Sequence, residues 1–589
     1  MKSFIDFING RPYINVDGEA LAPLAYTTYF DECAEYADFA EKGYKMYFVN
    51  VSFNLLPINN VSGFSPFTSG VFEGDTPDFS GLDENIFRVL SACPDALIFP
   101  RIHISMPERW TRENEYETVE TPAGGRRESM FSDLFRKDGA EYLKILVAHI
   151  RNASYADRIA GYQLCGGTTQ EWFHHDLCGS FSTLSNEKFA RRYGENNLKK
   201  EDFFSGKLTP AVQEYARFSC EVVAKTAEYF AKVLKEFIDG EQIVGIFYGY
   251  DFFVNDFLWG HQGLRHIIKS PYIDFFSSPC AYDNLRSLSV DWGDMIPVDA
   301  IKQSGKLCFI ECDIRTYLTK AIHQSRPGKY PDDKYTLYDK DGKPTIWKGP
   351  DTEDLSISAL RKTFCHQMIK ASGVWWFDMW GGWYHSEAMM SELFRMREIA
   401  ESAINKNCAE FPCAEVAVFL DEKALTNFPR GHHLNGAPAA TRCNMSCTGI
   451  PFDLCMVEDA PDIVNKYRAA IFTAAVPSEE GRNALELFRQ KGIFCLEISE
   501  EKTHYTPEEL RSLLIDAGVH CYNTDREIIY AGGGFVGIHS VCDGEKTIEL
   551  PEVFNVRMVL GESYYETDGK TIKIKMKKYE TALFELERV

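Results

Sequence analysis

FIECDIRTYL, residues 309–318, runs from an apolar strand pattern straight into three ionisable side chains. Side chains alternate across a strand, so Phe309, Glu311 and Asp313 share one face, and Cys308, Ile310 and Cys312 share the other. Glu311 therefore stands at the end of an otherwise buried strand, where a carboxylate is costly unless it is paired or used. Taken alone, the stretch reads as a junction acid neutralised by Arg315. What precedes it in the chain decides whether it is more than that.

KLCFIECD (306–313), which contains it, is the seventh of eight short apolar runs. The others are ALAPLAYTTYF (20–30), KMYFVNVSF (45–53), DALIFPRIHIS (95–105), RIAGYQLC (158–165), IVGIFYGYD (243–251), YIDFFSSP (272–279) and GVWWFDMW (373–380). Helical periodicity fills most of the gaps, most clearly in EYLKILVAHIRNA (141–153) and in residues 212–238, with apolar side chains at i, i+3, i+4 and i+7. Eight strands alternating with helices predict a parallel (β/α)8 TIM barrel over residues 1–405. That segment exceeds the roughly 250 residues usual for such a barrel, so the loops after the strands are long. They are placed at 106–135, 166–205, 252–270, 280–300 and 317–355.

The pattern changes near 401–413. Residues 413–525 read as a flavodoxin-like α/β domain, with strands at 414–421, 469–476 and 492–499 and helices at 478–491 and 507–518. Thr506, Pro507 and Glu509 supply a helix cap, an N1 proline and an N3 acid. No G-x-G-x-x-G follows the first strand, so nucleotide binding is not expected, and a structural or oligomer-forming role is. Residues 526–589 read as a small C-terminal antiparallel β domain, with hairpin signals at Asp543-Gly544 and Asp568-Gly569 and alternation of Ile572, Ile574 and Met576 with lysines.

Composition excludes some functions. The 589 residues carry a formal net charge of −23, which argues against a nucleic-acid partner or an anionic membrane surface. No 18-residue apolar run appears. The 17 cysteines are scattered, with no zinc-type pairing (Cys443 and Cys447 lie closest but lack nearby histidines), and the N-terminus lacks an apolar signal core. Both features lead to an expectation of a reducing cytoplasm. Aromatic residues make up 14% of the chain, a resource for stacking on sugars as well as for core packing.

In a (β/α)8 barrel the chemistry lies at the C-terminal ends of the strands. Strand seven brings Glu311 there. The strand-four region, GYQLCGGTTQEWFHHD (161–176), brings Glu171. Two carboxylates across one barrel mouth suit glycoside hydrolysis: one protonates the leaving oxygen, and the other attacks the anomeric carbon or activates water. Other strand-end residues are candidate substrate contacts. Arg101 and His103 share a face of strand three, for sugar hydroxyls or for keeping the nucleophile ionised. Trp376, Asp378 and Trp380 share a face of strand eight, with a tryptophan as the floor of the subsite for the cleaved sugar. Tyr248, Tyr250 and Tyr282 could hydrogen-bond the nucleophile. For each of these, ordinary packing or ion pairing is the competing reading. Trp172, His174 and His175 follow Glu171, and no third ligand is spaced to make the histidines a metal site.

The arrangement resembles the clan of retaining glycoside hydrolases whose acid/base follows strand four and whose nucleophile ends strand seven. That resemblance implies Glu171 as acid/base and Glu311 as nucleophile. The three-part layout resembles the family 42 β-galactosidases, whose middle domain builds a trimer, and a group of bacterial β-mannosidases with the same domains and a shorter barrel. The clan usually has Asn before the acid/base, contacting the sugar 2-hydroxyl; here Gln170 stands there. The metal-binding cysteine cluster of some family 42 members is not visible. The resemblance implies a retaining, exo-acting β-glycosidase of mannosidase or galactosidase type, forming a homotrimer and acting on a small oligosaccharide or glycoside without cofactor or catalytic metal. An inverting or metal-dependent barrel hydrolase and a non-catalytic carbohydrate-binding barrel remain the alternatives.

Overall fold

The computed structural model describes residues 1–589 except 57–64, 68, 122–124, 175–180, 195–197, 200, 202–206, 255, 331–348, 405 and 407–412. Each of the eight apolar runs contains a strand: Leu24–Thr27, Met46–Ser52, Leu97–His103, Gly161–Cys165, Ile243–Phe247, Phe275–Ser277, Leu307–Cys312 and Gly373–Phe377. They are called barrel strands 1 to 8 below. All pairings between neighbours are parallel, and strand 8 returns to strand 1, which closes the barrel. The predicted helices are present as Asp133–Asn152 and Pro210–Phe237. Ser132 and Thr209 cap them with side-chain oxygens, and Pro210 occupies the first turn of the second.

The barrel interior is built on an aromatic floor. Phe48 stacks on Phe99 at 4.9 Å and meets Trp375 at 4.3 Å and Phe309 at 5.3 Å; Phe275 lies 5.8 Å from Phe309. Glycines on the neighbouring strands make room for these rings. A Cβ on Gly245 would lie 2.0 Å from the Phe275 ring, one on Gly161 2.6 Å from Phe99, and one on Gly373 2.7 Å from Phe309. Overfilling a close-packed core costs about 1–3 kcal/mol. Gly245→Ala is therefore expected to lower stability by at least that range, read as a reduced denaturant midpoint. An unchanged midpoint would mean that the floor is not tightly packed.

An antiparallel sheet, Ser3–Ile8, Arg11–Val16 and Glu19–Leu21, precedes the barrel. The sequence reading does not include it, although Asn9-Gly10 and Asp17-Gly18 are hairpin signals of the same kind as Asp543-Gly544. They make its turns, all four residues having positive φ. The sheet packs under the barrel: Ser3 N donates to the Glu241 carbonyl at 2.8 Å, and Ile243 N donates to Ser3 Oγ at 2.9 Å. This closes the N-terminal end and leaves the C-terminal end for the long loops.

Beyond the barrel, a four-stranded parallel sheet has the order Phe452–Met456, Val416–Leu420, Ala469–Phe472, Phe494–Glu497. Three of these strands match the sequence reading. Phe452–Met456 is the one it lacks, since PFDLCMVED breaks its short apolar run with an acid. Thr506 and Glu509 form the expected reciprocal cap on the helix Pro507–Asp516. The C-terminal segment forms two facing antiparallel sheets of four and three strands. Lys370 bridges Asp299 of the barrel and Asp453 of the middle sheet, and Tyr530 of the last segment donates to Asp291 at 2.6 Å. Among the described residues, no helix is long and apolar enough to cross a membrane.

Candidate active site

Strand parity sets the site. Phe309 belongs to the aromatic floor, so Glu311, two residues on, points into the barrel at its C-terminal mouth. Its backbone is held from strand 6: Glu311 N donates to the Ser278 carbonyl at 2.9 Å, and Cys280 N to the Glu311 carbonyl at 3.4 Å. Glu311 is 6% exposed. Arg101, from strand 3 and 1% exposed, meets Glu311 Oε2 through Nη1 at 3.3 Å. Aromatic rings surround that guanidinium: Phe247 at 4.9 Å, Trp375 at 5.0 Å, Phe377 at 5.7 Å and Tyr29 at 5.9 Å. A buried arginine in such a setting needs an anion, and Glu311 supplies it.

Glu171 sits on a tight loop after strand 4. Its neighbours Thr169, Gln170 and Trp172 all have positive φ, at 59°, 71° and 59°. Three non-glycine residues in the left-handed region are strained, by about 1–3 kcal/mol each, and such strain concentrates at functional loops. Trp172 anchors the loop: it is fully buried and donates from Nε1 to the Leu164 carbonyl at 3.0 Å. The Glu171 carboxyl accepts from Tyr250 Oη at 2.9 Å and from Thr169 Oγ1. His261 donates from Nε2 to the Glu171 carbonyl at 2.7 Å, while its Nδ1 accepts from Tyr250 N at 3.4 Å. Burial pushes the His261 ring down to about 3, so this imidazole is neutral and acts as a brace.

The electrostatics couple the two acids. Burial pushes Glu171 up to about 7, against the hydrogen bonds from Thr169 and Tyr250. Burial also raises Glu311; Arg101 opposes that rise, while the charges of Asp313 and Glu171 add to it. Arg101 opposes the rise at both carboxyls and contacts Glu311 directly, yet burial lifts Glu311 to about 8, further than Glu171. Next to Glu311, Asp313 is fully buried and is held by Arg286, Arg315 and Tyr282, whose Oη donates at 2.6 Å. Burial would raise this carboxyl, but the two guanidiniums overcome it and hold Asp313 below its ordinary value.

Solved structures with this arrangement of elements exist. Gan42B, a GH42 β-galactosidase from G. stearothermophilus, superposes with a TM-score of 0.61 at 10% identity, covering 96% of this chain and 98% of its own. A cold-adapted β-galactosidase from Rahnella sp. R3 gives 0.60 at 11% identity over the same shares. α-L-Fucosidase isoenzyme 2 from Paenibacillus thiaminolyticus gives 0.56 at 10% identity, covering 97% of this chain and 100% of its own. The chain shares their fold. No family model and no curated protein sequence matches it.

The remaining expected residues fall into place unevenly. His103 lies at the mouth, stacked on Phe67 at 6.0 Å, with Nε2 3.4 Å from the Gly167 carbonyl. Gln170 is fully buried, and among the described residues neither its amide nitrogen nor its amide oxygen has a partner. Tyr250, expected on the nucleophile, bonds Glu171 instead, and Tyr282 bonds Asp313. Tyr248 turns away and donates to the Gly260 carbonyl at 2.6 Å. Trp376, expected in the subsite floor, faces the surrounding helices and donates to Tyr44 Oη at 3.1 Å. Its neighbours Trp375 and Phe377 are the inward pair, because Gly373 opposes Phe309 and fixes the parity of the strand. Asp378 is committed to the turn after strand 8, accepting from Tyr26 Oη, Gly382 N and Trp383 N, each at 2.9 Å. Trp380 packs on Phe30 and Tyr29 at the rim. His174 lies 2.8 Å from Ser219 Oγ, and His175 lies outside the described residues.

Tyr29 and His261 are the contributors that sequence reasoning missed. Tyr29 lies just past strand 1 in a run read only as apolar, and His261 sits in a long loop with no motif around it. Among the described residues, one group, Glu35, Asp38 and His385, has the spacing to hold a metal ion; His385 is exposed and pairs with Asp38 at 2.7 Å. Glu35 of this group donates from its backbone N to Tyr26 Oη at 3.0 Å, and Tyr26 in turn donates to Asp378.

Proposed function

We propose that the protein is a retaining, exo-acting β-glycosidase of mannosidase or galactosidase type. The observation that carries the proposal is the pair of buried glutamates at one barrel mouth, Glu311 in contact with Arg101 at 3.3 Å and Glu171 hydrogen-bonded by Tyr250 and Thr169. In the first step, Glu311 attacks the anomeric carbon while Glu171 gives its proton to the departing oxygen. In the second, Glu171, now a carboxylate, takes a proton from water, which attacks the glycosyl ester and frees Glu311. Esterification removes the charge of Glu311 that helped hold the proton on Glu171, so the same residue serves as acid and then as base. The unspent amide of Gln170 is available to the sugar 2-hydroxyl. The strained loop places Glu171 at the cost of local stability. The fold shared with two β-galactosidases supports the class of chemistry, and the proposal extends to a cytoplasmic homotrimer without cofactor or catalytic metal.

A panel of chromogenic aryl β-glycosides tests the reading and identifies the sugar. Turnover of a β-mannoside or β-galactoside is expected; a panel with no turnover would overturn the proposal. The pH dependence adds a check. With Glu171 near 7, kcat/KM is expected to fall as pH rises through that value, because the acid loses its proton. Tyr250 donates to the Glu171 carboxylate and so favours its ionised form. Tyr250→Phe is expected to raise the alkaline limb by about one pH unit, since a hydrogen bond to a charged group contributes about 1.5–3 kcal/mol and one unit corresponds to about 1.4. An unmoved limb would remove Glu171 from the role of acid.

A further inference from the structure

A cavity of about 170 Å³ opens beside the catalytic mouth, over barrel strands 1 and 2. Its inner end is formed by Tyr29 and Asn50, and its outer end by Asn85 and Arg88 on the helix Ser80–Ala92. It therefore leads away from the two glutamates toward the rim. Two aromatic surfaces border it: Tyr29, whose ring approaches Arg101, and Phe67, which stacks on His103.

The polar lining holds one unfilled buried acceptor among its described residues. Asn50 is 6% exposed; its amide nitrogen donates to the Thr28 carbonyl at 2.6 Å, and among the described residues its Oδ1 has no partner. Asp31, also 6% exposed, accepts from Tyr36 Oη through Oδ1 at 2.5 Å. Glu32, Asp78 and Glu84 add three further carboxylates, and each has a partner: Glu32 the Arg326 guanidinium, Asp78 the backbone and hydroxyl of Ser80, and Glu84 the Arg88 guanidinium. Among the described residues of the lining, Asn50 Oδ1 is the buried acceptor without a donor, and such an atom is costly to leave unfilled. A ligand rich in hydroxyl groups satisfies such a lining, and its apolar ring faces suit the aromatic borders. A uronic acid, sulfated or phosphorylated sugar would meet the carboxylates and be repelled.

We propose that this cavity is a second carbohydrate subsite, which takes one neutral sugar unit attached to the glycone held between Glu171 and Glu311. The inference rests on the function proposed above. It makes the preferred glycone a disaccharide rather than a single sugar.

The test compares aryl β-glycosides of the sugar identified by the panel with aryl glycosides of its β-1,3-, β-1,4- and β-1,6-linked disaccharides. At least one disaccharide glycoside is expected to show kcat/KM about tenfold or more above the monosaccharide, mainly through KM. Asn85→Trp, at the outer end of the cavity, is expected to erase that advantage and leave the monosaccharide value unchanged. Asn50→Ala is expected to lower the disaccharide value more than the monosaccharide value. Monosaccharide turnover with every disaccharide glycoside at or below it would overturn the subsite while leaving the glycosidase reading intact. If no glycoside is turned over, calorimetric titration with the free disaccharides decides: binding that Asn85→Trp abolishes supports the cavity, and absence of binding overturns it.

Discussion

Glu311→Ala is expected to lower kcat by at least about 10⁴-fold on every aryl β-glycoside that the wild type accepts, with the protein still folded. Glu311 is packed in a cluster with Arg101, Asp313, Arg286 and Arg315, so the variant is informative only if the rest of the cluster survives. It should survive, because Asp313 keeps Arg286, Arg315 and Tyr282 without help from Glu311. Arg101 loses its anion, and its aromatic surroundings then hold a guanidinium with less compensation. A small anion entering the vacated space answers both deficits. Added azide is expected to restore part of the turnover, with an α-glycosyl azide as product, since one displacement replaces two. Gas chromatography or NMR of the product reads the anomer. Near-normal activity in this variant would remove Glu311 from the reaction.

Glu171→Ala is expected to separate substrates by their leaving groups. A general acid contributes about 10²–10⁴-fold where the leaving oxygen is basic, and little where it departs unaided. A dinitrophenyl glycoside should therefore still form the glycosyl ester quickly, and the second step, robbed of its base, should limit kcat. Azide attacks that ester without needing a base, so it is expected to raise kcat and to yield a β-glycosyl azide. The opposite anomers from the two variants would assign the roles of the glutamates from one reagent. An equal loss on good and poor leaving groups would contradict the assignment of Glu171.

The sequence carried the barrel because its signal is redundant. Eight apolar runs each had to bury both faces, and each became a strand of one closed ring. Glu311 was legible for a related reason: an acid in FIECD interrupts a pattern that otherwise repeats. Side-chain direction was harder to read. In GVWWF the choice between Trp375 and Trp376 rests on a single-residue parity, which the contact of Gly373 with Phe309 settles in three dimensions. The left-handed conformations at Thr169, Gln170 and Trp172 left no trace in residue type, since none of these positions is glycine. His261 is a brace made by a loop folding back over 90 residues, and no local pattern encodes such a return.

The most direct test of the central claim is to trap the intermediate. The wild-type protein would be treated with the 2-deoxy-2-fluoro form of its best aryl β-glycoside, then digested and mapped by mass spectrometry. A fluorosugar ester on Glu311, within the peptide spanning residues 309–318, is the expected result. An adduct on another residue, or none from an enzyme that turns over the parent glycoside, would contradict double displacement through Glu311.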